Sequence, residues 1–535
     1  MKLINPAQGA EGAAMVRRGS TRREFLAEVG RGTLVASVGS AVAIDLGLAA
    51  PALAGSDEAA RLSFGRLEPL VDLLQETPAS ALVSCLVEKI HSGTPLNDLV
   101  AAAALANART FGGEDYVGFH TMMALAPAFH MTRELPTATQ ALPVLKVLYR
   151  NTNRIHEFGG QPKEVLHPVA PSAAPASGES LRTAVRAKDV NAAEAAFARL
   201  AAGAPADAFD ALLYAVEDNT EVHRTVLPYR AWDLLNLIGM DQAHTLLRQS
   251  VRYCVKSERD WSHSAEIDRP RTLLPKLLEQ ARLMDRPVGQ RTADDGYVET
   301  LSQTIFRSSP EDAAAAVAAA LAEGFAPSVI GEAISLATNQ LVLRDEGRVG
   351  NQVQPGKPAG SVHGDSIGVH ACDSANAWRN MAAVSKPRNT YACLILGAYQ
   401  AAHDRVNRGG DFLKWTARPR PEDVEAIRSS DPAVLLRELD AAIRANDQAR
   451  ACALVHKYGA VGGDAEQVFP VLLTYAVSED GALHAEKFYR TVREEFTATR
   501  PAFRWRQIVA LARVTASEYG RPAPGVAEAR SLMKV

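Results

Sequence analysis

Apolar and alanine-rich stretches recur along the chain with the spacing of helices, punctuated by Gly, Pro and short polar caps. The run DAAAAVAAALAEG over 312–324 is typical. It is rich in the strongest helix former and closes on a glycine stop. Alternating apolar and polar positions with β-branched enrichment hardly occur, so strands are not expected. The pattern predicts an all-α fold. Three segments read as linkers: 168–178, rich in Pro, Ala and Ser; 285–296, with Pro287, Gly289 and Gly296; and 346–368, rich in Gly and Pro.

The same pattern contains an internal echo. AVRAKD at 184–189 matches AIRAND at 442–447. The first copy continues to LLYAVEDNTEVH at 212–223 and the second to LTYAVSEDGALH at 473–484. Tyr214 and His223 are therefore spaced as Tyr475 and His484 are, and each histidine is followed by a Tyr-Arg pair, Tyr229-Arg230 and Tyr489-Arg490. Two further segments follow this grammar more loosely and end in Val117-Gly-Phe-His120 and Ile367-Gly-Val-His370. Four copies of roughly four or five helices each are too long for tetratricopeptide or HEAT units. They predict a helical repeat array or α-toroid with one histidine per copy near a shared centre. The expected boundaries are 55–166, 179–284, 285–404 (with the loop 346–368) and 405–535, with a linker over 167–178.

Length and composition agree with a globular chain. It has 535 residues, is 47% hydrophobic and carries a net charge of −3, so it lacks the basic face that nucleic acid or an anionic membrane would require. The start is distinctive. Arg22-Arg23 precede Phe25-Leu26, an apolar run follows, and Ala52-Leu53-Ala54 precede Gly55. This resembles a twin-arginine export signal over 1–54, with the export machinery as partner and a periplasmic or extracellular address. The apolar run is too short to span a bilayer, and no later segment is long enough. The five cysteines form no C-x-x-C pair and read as small buried helix residues.

Several chemistries lack their motifs. There is no P-loop, no H-E-x-x-H, no C-x-x-C-H and no strand-borne G-x-G-x-x-G. G-x-S-x-G occurs once, at 364–368, but inside a Gly/Pro loop rather than after a strand. What remains is the histidine set. Imidazole is the commonest metal ligand, and equivalent positions of a pseudo-symmetric array converge. His120, His223, His370 and His484 are the expected ligands of one transition metal, iron first. Asp218 and Asp480 are expected as ligands or supports, with Glu217, Glu479 and Asp373 also nearby in sequence. Tyr229, Tyr489 and the loop residue His363 are expected as proton donors or acid/base groups.

The pieces Gly93-Thr-Pro95, Val117-Gly-Phe-His120, Val369-His-Ala-Cys-Asp-Ser-Ala-Asn-Ala377 and Glu479-Asp-Gly-Ala-Leu-His484 resemble the all-helical questin oxidase-like family, from about residue 60 onward. The resemblance implies oxidation chemistry, since the family's founding members are similar to oxygenases that open a ring of polyketide anthraquinones. The export signal departs from a cytosolic biosynthetic role. The reading is thus an exported metal-dependent oxidoreductase acting on a small organic substrate. The alternatives are a non-catalytic helical-repeat scaffold of the cell envelope and a metal-free His/Asp hydrolase or lyase.

Overall fold

The computed structural model describes residues 61–260, 268–409 and 412–535; the expected export segment lies outside them. Among the described residues the chain is all-α, with helices joined by turns and only isolated β-bridges. No described helix is long and apolar enough to cross a membrane.

The helices fall into four sets of five. The first comprises α1 (Glu68–Glu76), α2 (Ala79–His91), α3 (Leu96–Phe111), α4 (Tyr116–Thr132) and α5 (Leu142–Phe158). The second comprises α6 (Gly178–Arg186), α7 (Val190–Ala201), α8 (Pro205–Val216), α9 (Val222–Ile238) and α10 (Ala243–Asp260). After α11 (Arg269–Gln280) the third runs through α12 (Asp295–Arg307), α13 (Pro310–Ala322), α14 (Pro327–Arg344), α15 (Ile367–Val384) and α16 (Pro387–Arg408). After the short α17 (Pro421–Glu425) the fourth runs through α18 (Pro432–Arg444), α19 (Gln448–Ala460), α20 (Ala465–Ser478), α21 (His484–Ala498) and α22 (Trp505–Glu518), and α23 (Val526–Met533) closes the chain. In every set the first helix packs on the third, the third on the fifth, and the fourth on the fifth.

Local chemistry explains the correspondence between the second and fourth sets. The words AVRAKD and AIRAND end their first helix at a left-handed residue, Lys188 (φ 61°) or Asn446 (φ 54°). The following Asp189 or Asp447 then caps the next helix, accepting from the backbone N–H of Ala192 or Arg450. The long helices at the middle are buried on nearly all sides: 118–128 of α4 and 223–231 of α9 are buried throughout, the arginines of α9 being paired, Arg224 with Glu258 and Arg230 with Thr491.

The fourth helices of the four sets form a closed ring. α4 packs on α9, α9 on α15, α15 on α21, and α21 back on α4. Each brings its N-terminal end to the same place, because the histidine lies in its first or second turn.

Candidate metal centre

Each histidine is placed by a different device at the head of its helix. Asp115 caps α4 through the N–H of Gly118 (2.7 Å) and is itself clamped by Arg154. Gly118 is needed there, since a Cβ would meet the Phe111 ring at 2.5 Å. Glu221 caps α9 through the N–H of Arg224 (3.0 Å). Ser366 caps α15, and Gly368 lets that helix approach the Leu341–Val342 backbone, where a Cβ would sit 2.8 Å away. The G-x-S-x-G word is thus a helix cap and a close-packing glycine. α21 has no side-chain cap; Ala482 (φ 50°) and Leu483 (φ 67°) are both left-handed just before His484. Two successive non-glycine residues in that region carry strain.

The structure brings the four imidazoles together. Neighbouring ring centres lie 4.8 Å apart for His120 and His223, 6.0 Å for His223 and His370, 5.0 Å for His370 and His484, and 5.3 Å for His484 and His120. The Nε2 atoms meet in two pairs, His120 with His223 at 3.2 Å and His370 with His484 at 3.0 Å. With metal–nitrogen bonds of about 2.0–2.1 Å, four imidazoles on one tetrahedral ion hold their nitrogens about 3.3 Å and their ring centres about 5 Å apart. The observed rings fit that spacing. Among the described residues no three ligand-type side chains are drawn into a closed shell, so the two pairs have to turn slightly toward each other to share an ion.

The tautomers decide what the nitrogens can do. His120 Nδ1 lies 2.6 Å from the Tyr116 carbonyl, His223 Nδ1 2.5 Å from Glu221 Oε1, and His484 Nδ1 3.2 Å from the Gly481 carbonyl. An acceptor at Nδ1 makes that nitrogen the N–H donor, and a ring that is neutral in this tautomer turns its Nε2 lone pair toward the centre. Two Nε2 atoms 3.2 Å apart are bridged by a proton or by a metal ion. Burial, then the Lys487 charge, push His120 and His484 well below the usual histidine range, which disfavours a second proton on those two rings. Burial and the His223 charge push His370 down to about 3.

Glu221 is the carboxylate of this site. Besides His223 it accepts from the Tyr253 hydroxyl at 2.8 Å. Burial alone would raise it, but the His223 ring and these hydrogen bonds outweigh burial and hold it at about 2. Asp218 and Asp480 are placed otherwise. Arg186 donates to both Asp218 oxygens, at 2.6 and 2.7 Å, and Asp480 pairs with Arg150. Glu217 is held by Arg182 and Arg388, and Glu479 accepts from the N–H groups of Gly520 and Arg521.

Tyr229 donates to Glu494 (3.1 Å) and Tyr489 to Glu134 (2.7 Å). Standing six and five residues after their histidines, they are rotated about 120–140° off the histidine face of the helix. The tyrosine at the centre is Tyr116, 4.4 Å from the His120 ring and 5.6 Å from that of His223. Phe119 packs on both rings at 5.0 Å. Tyr116 is 40% exposed and His370 half-buried, so the centre opens on this side. Asp365, bound by Arg348 and Lys357, lies close enough for its charge to act on Tyr116 and His370.

His363 is buried and its Nδ1 accepts from Arg521 (2.7 Å), leaving Nε2 without a hydrogen-bond partner. The next residue, Gly364, lies against the side chain of His484.

Glu221 and Tyr116 were legible only as neighbours of the histidines, two residues before His223 and four before His120. Lys487 and Asp373 stand three residues after His484 and His370, one turn deeper in the ring, where the other two helices place Met123 and Val226. No family model, curated protein or solved structure matches the chain, so its functional reading rests on the site itself.

Proposed function

We propose that His120, His223, His370 and His484 bind one transition metal and that the protein is a metal-dependent oxidoreductase acting on a small organic substrate. The observation that carries the reading is the convergence of the four Nε2 atoms. Three of the four rings have their Nδ1 held by an acceptor, and all four Nε2 atoms face a neighbour at 3.0–3.2 Å. Imidazole-only ligation suits iron, copper or zinc, and a redox-active ion would supply electron and oxygen chemistry there. The chain's own residues would fix that ion's surroundings. Glu221 orients His223 and raises its basicity. Phe119 and Tyr116 shield the first pair of rings, and the half-buried edge of His370 leaves access for a small molecule.

Elemental analysis of protein purified without a metal-affinity tag tests the proposal. The expected result is about one equivalent of iron or copper per chain, lost or reduced in His→Ala variants at the four positions. Unchanged metal content in all four variants would overturn it. A second reading is favoured by the Glu221–His223–His120 chain of contacts, 2.5 and 3.2 Å long. Such a relay could act as a metal-free acid/base pair, and a folded, active, metal-free protein would establish it. We also propose that residues 1–54 direct twin-arginine export. An Arg22→Lys/Arg23→Lys variant is expected to stay in the cytoplasm; export unchanged by that substitution would refute it.

A further inference from the structure

Lys487 stands one turn below His484 on the same face of α21. It is 2% exposed. Its helix packs against α4 and α15, and the three histidines on which its charge acts are those of α21 and these two neighbours, His484, His120 and His370. The amine therefore lies inside the ring, beneath the imidazoles. Among the described residues no carboxylate, carbonyl or hydroxyl is within hydrogen-bond distance of it. Asp373, the facing carboxylate one turn below His370, accepts instead from Thr491 Oγ1 at 2.7 Å, and Thr491 also accepts from the buried Arg230 at 3.1 Å.

A buried lysine without a partner is costly, and native chains seldom keep one without use. The charge balance around it gives the use. Glu221 is the carboxylate bound to the imidazoles, Glu486 is paired with Lys146, and the charges of both Lys487 and Arg230 act on Asp373. The N-terminal turns of four helices add partial positive charge at the same point. A cation held by four imidazoles would leave the surroundings of Lys487 strongly positive.

We propose that Lys487 anchors an anionic oxygen group, a carboxylate or ionised hydroxyl, of a small organic ligand bound at the four-histidine centre. The inference rests on the metal-centre reading for the ligand's second contact, but the ammonium site exists in the chain without it. The ligand class is thus a small organic monoanion, whose charged end reaches inward to Lys487 while its body lies toward Tyr116 and His370. Uncharged analogues of the same shape should bind more weakly.

Two titrations test this and keep it separable from the metal reading. In the first, cobalt(II)-loaded protein is titrated with azide and with acetate, followed by visible absorption. The wild type is expected to show saturable spectral changes with both. Lys487→Met should weaken both at least tenfold with cobalt content unchanged, and Lys487→Arg should stay within about threefold. In the second, the metal-free protein is heated with and without acetate. Stabilisation of the wild type, absent in Lys487→Met, is the expected result. If cobalt fails to load but acetate still stabilises only the wild type, the metal reading falls and the lysine site stands. If Lys487→Met binds both anions as tightly as the wild type in both titrations, the proposal is overturned.

Discussion

The two halves of the histidine ring are built differently. On the α4/α9 half both rings are held from behind, His120 by the Tyr116 carbonyl and His223 by Glu221, and both helices are capped by carboxylates. Aromatic rings wall that half, and its floor one turn deeper is apolar, Met123 and Val226. On the α15/α21 half no hydrogen bond among the described residues holds Nδ1 of His370, and His484 follows two left-handed residues. That floor is charged, Asp373 and Lys487. The first half is preorganised to hold, and the second is the open, charged side on which a ligand would be met.

The largest effects should fall on the first half. His223→Ala is expected to lower metal affinity by more than about 100-fold, because it removes a ligand together with the Glu221 hydrogen bond that orients it. His370→Ala, at a half-exposed and less constrained ring, should cost about tenfold. Metal-buffer titrations of the two variants measure the difference, and equal losses would erase the asymmetry. Next comes Glu221→Gln, which keeps the shape but weakens the hold on His223; metal affinity should fall about 10- to 100-fold with the fold intact by circular dichroism.

Lys487→Met should raise the stability of the metal-free protein at pH 7, by on the order of 2 kcal/mol. Burial pushes the lysine down to about 8, against the favourable charges of Asp373 and Glu486 and together with the repulsion of Arg230. A lysine lowered on folding destabilises the native state fully below about pH 8. That penalty fades as pH rises from about 8 to the ordinary lysine value, because the unfolded chain then also loses the proton. The advantage of the Met variant in urea unfolding should shrink over the same window, and an advantage constant with pH would contradict a charged buried lysine. The smallest effect is expected from Ala482→Gly. Relief of one exposed left-handed alanine, offset by the greater freedom of glycine when unfolded, should stabilise by no more than about 1 kcal/mol in thermal melts.

Much of the architecture was legible because the helix signals are local. Alanine runs, capping aspartates and glycine stops act within one turn, and the AVRAKD and AIRAND words produced the same left-handed turn and cap. The convergence of His120, His223, His370 and His484 was legible from spacing alone. The supporting residues were not. Asp218 and Asp480 are close to the histidines in sequence, but Arg186 of α6 and Arg150 of α5 claim them. Tyr229 and Tyr489 fail by helical phase. Glu221 was hidden because a capping glutamate looks like any other until the ring of His223 turns back on it. Lys487 and Asp373 needed the ring to be closed before their positions beneath the imidazoles meant anything.

The central claim is that four imidazoles share one ion. Calorimetric titration of metal-free protein with iron(II) or cobalt(II) addresses it most directly. Saturation at one ion per chain is expected, with binding lost in His223→Ala and weakened in His370→Ala. A well-folded wild type that takes up neither ion, or that binds them equally well without these histidines, would contradict it.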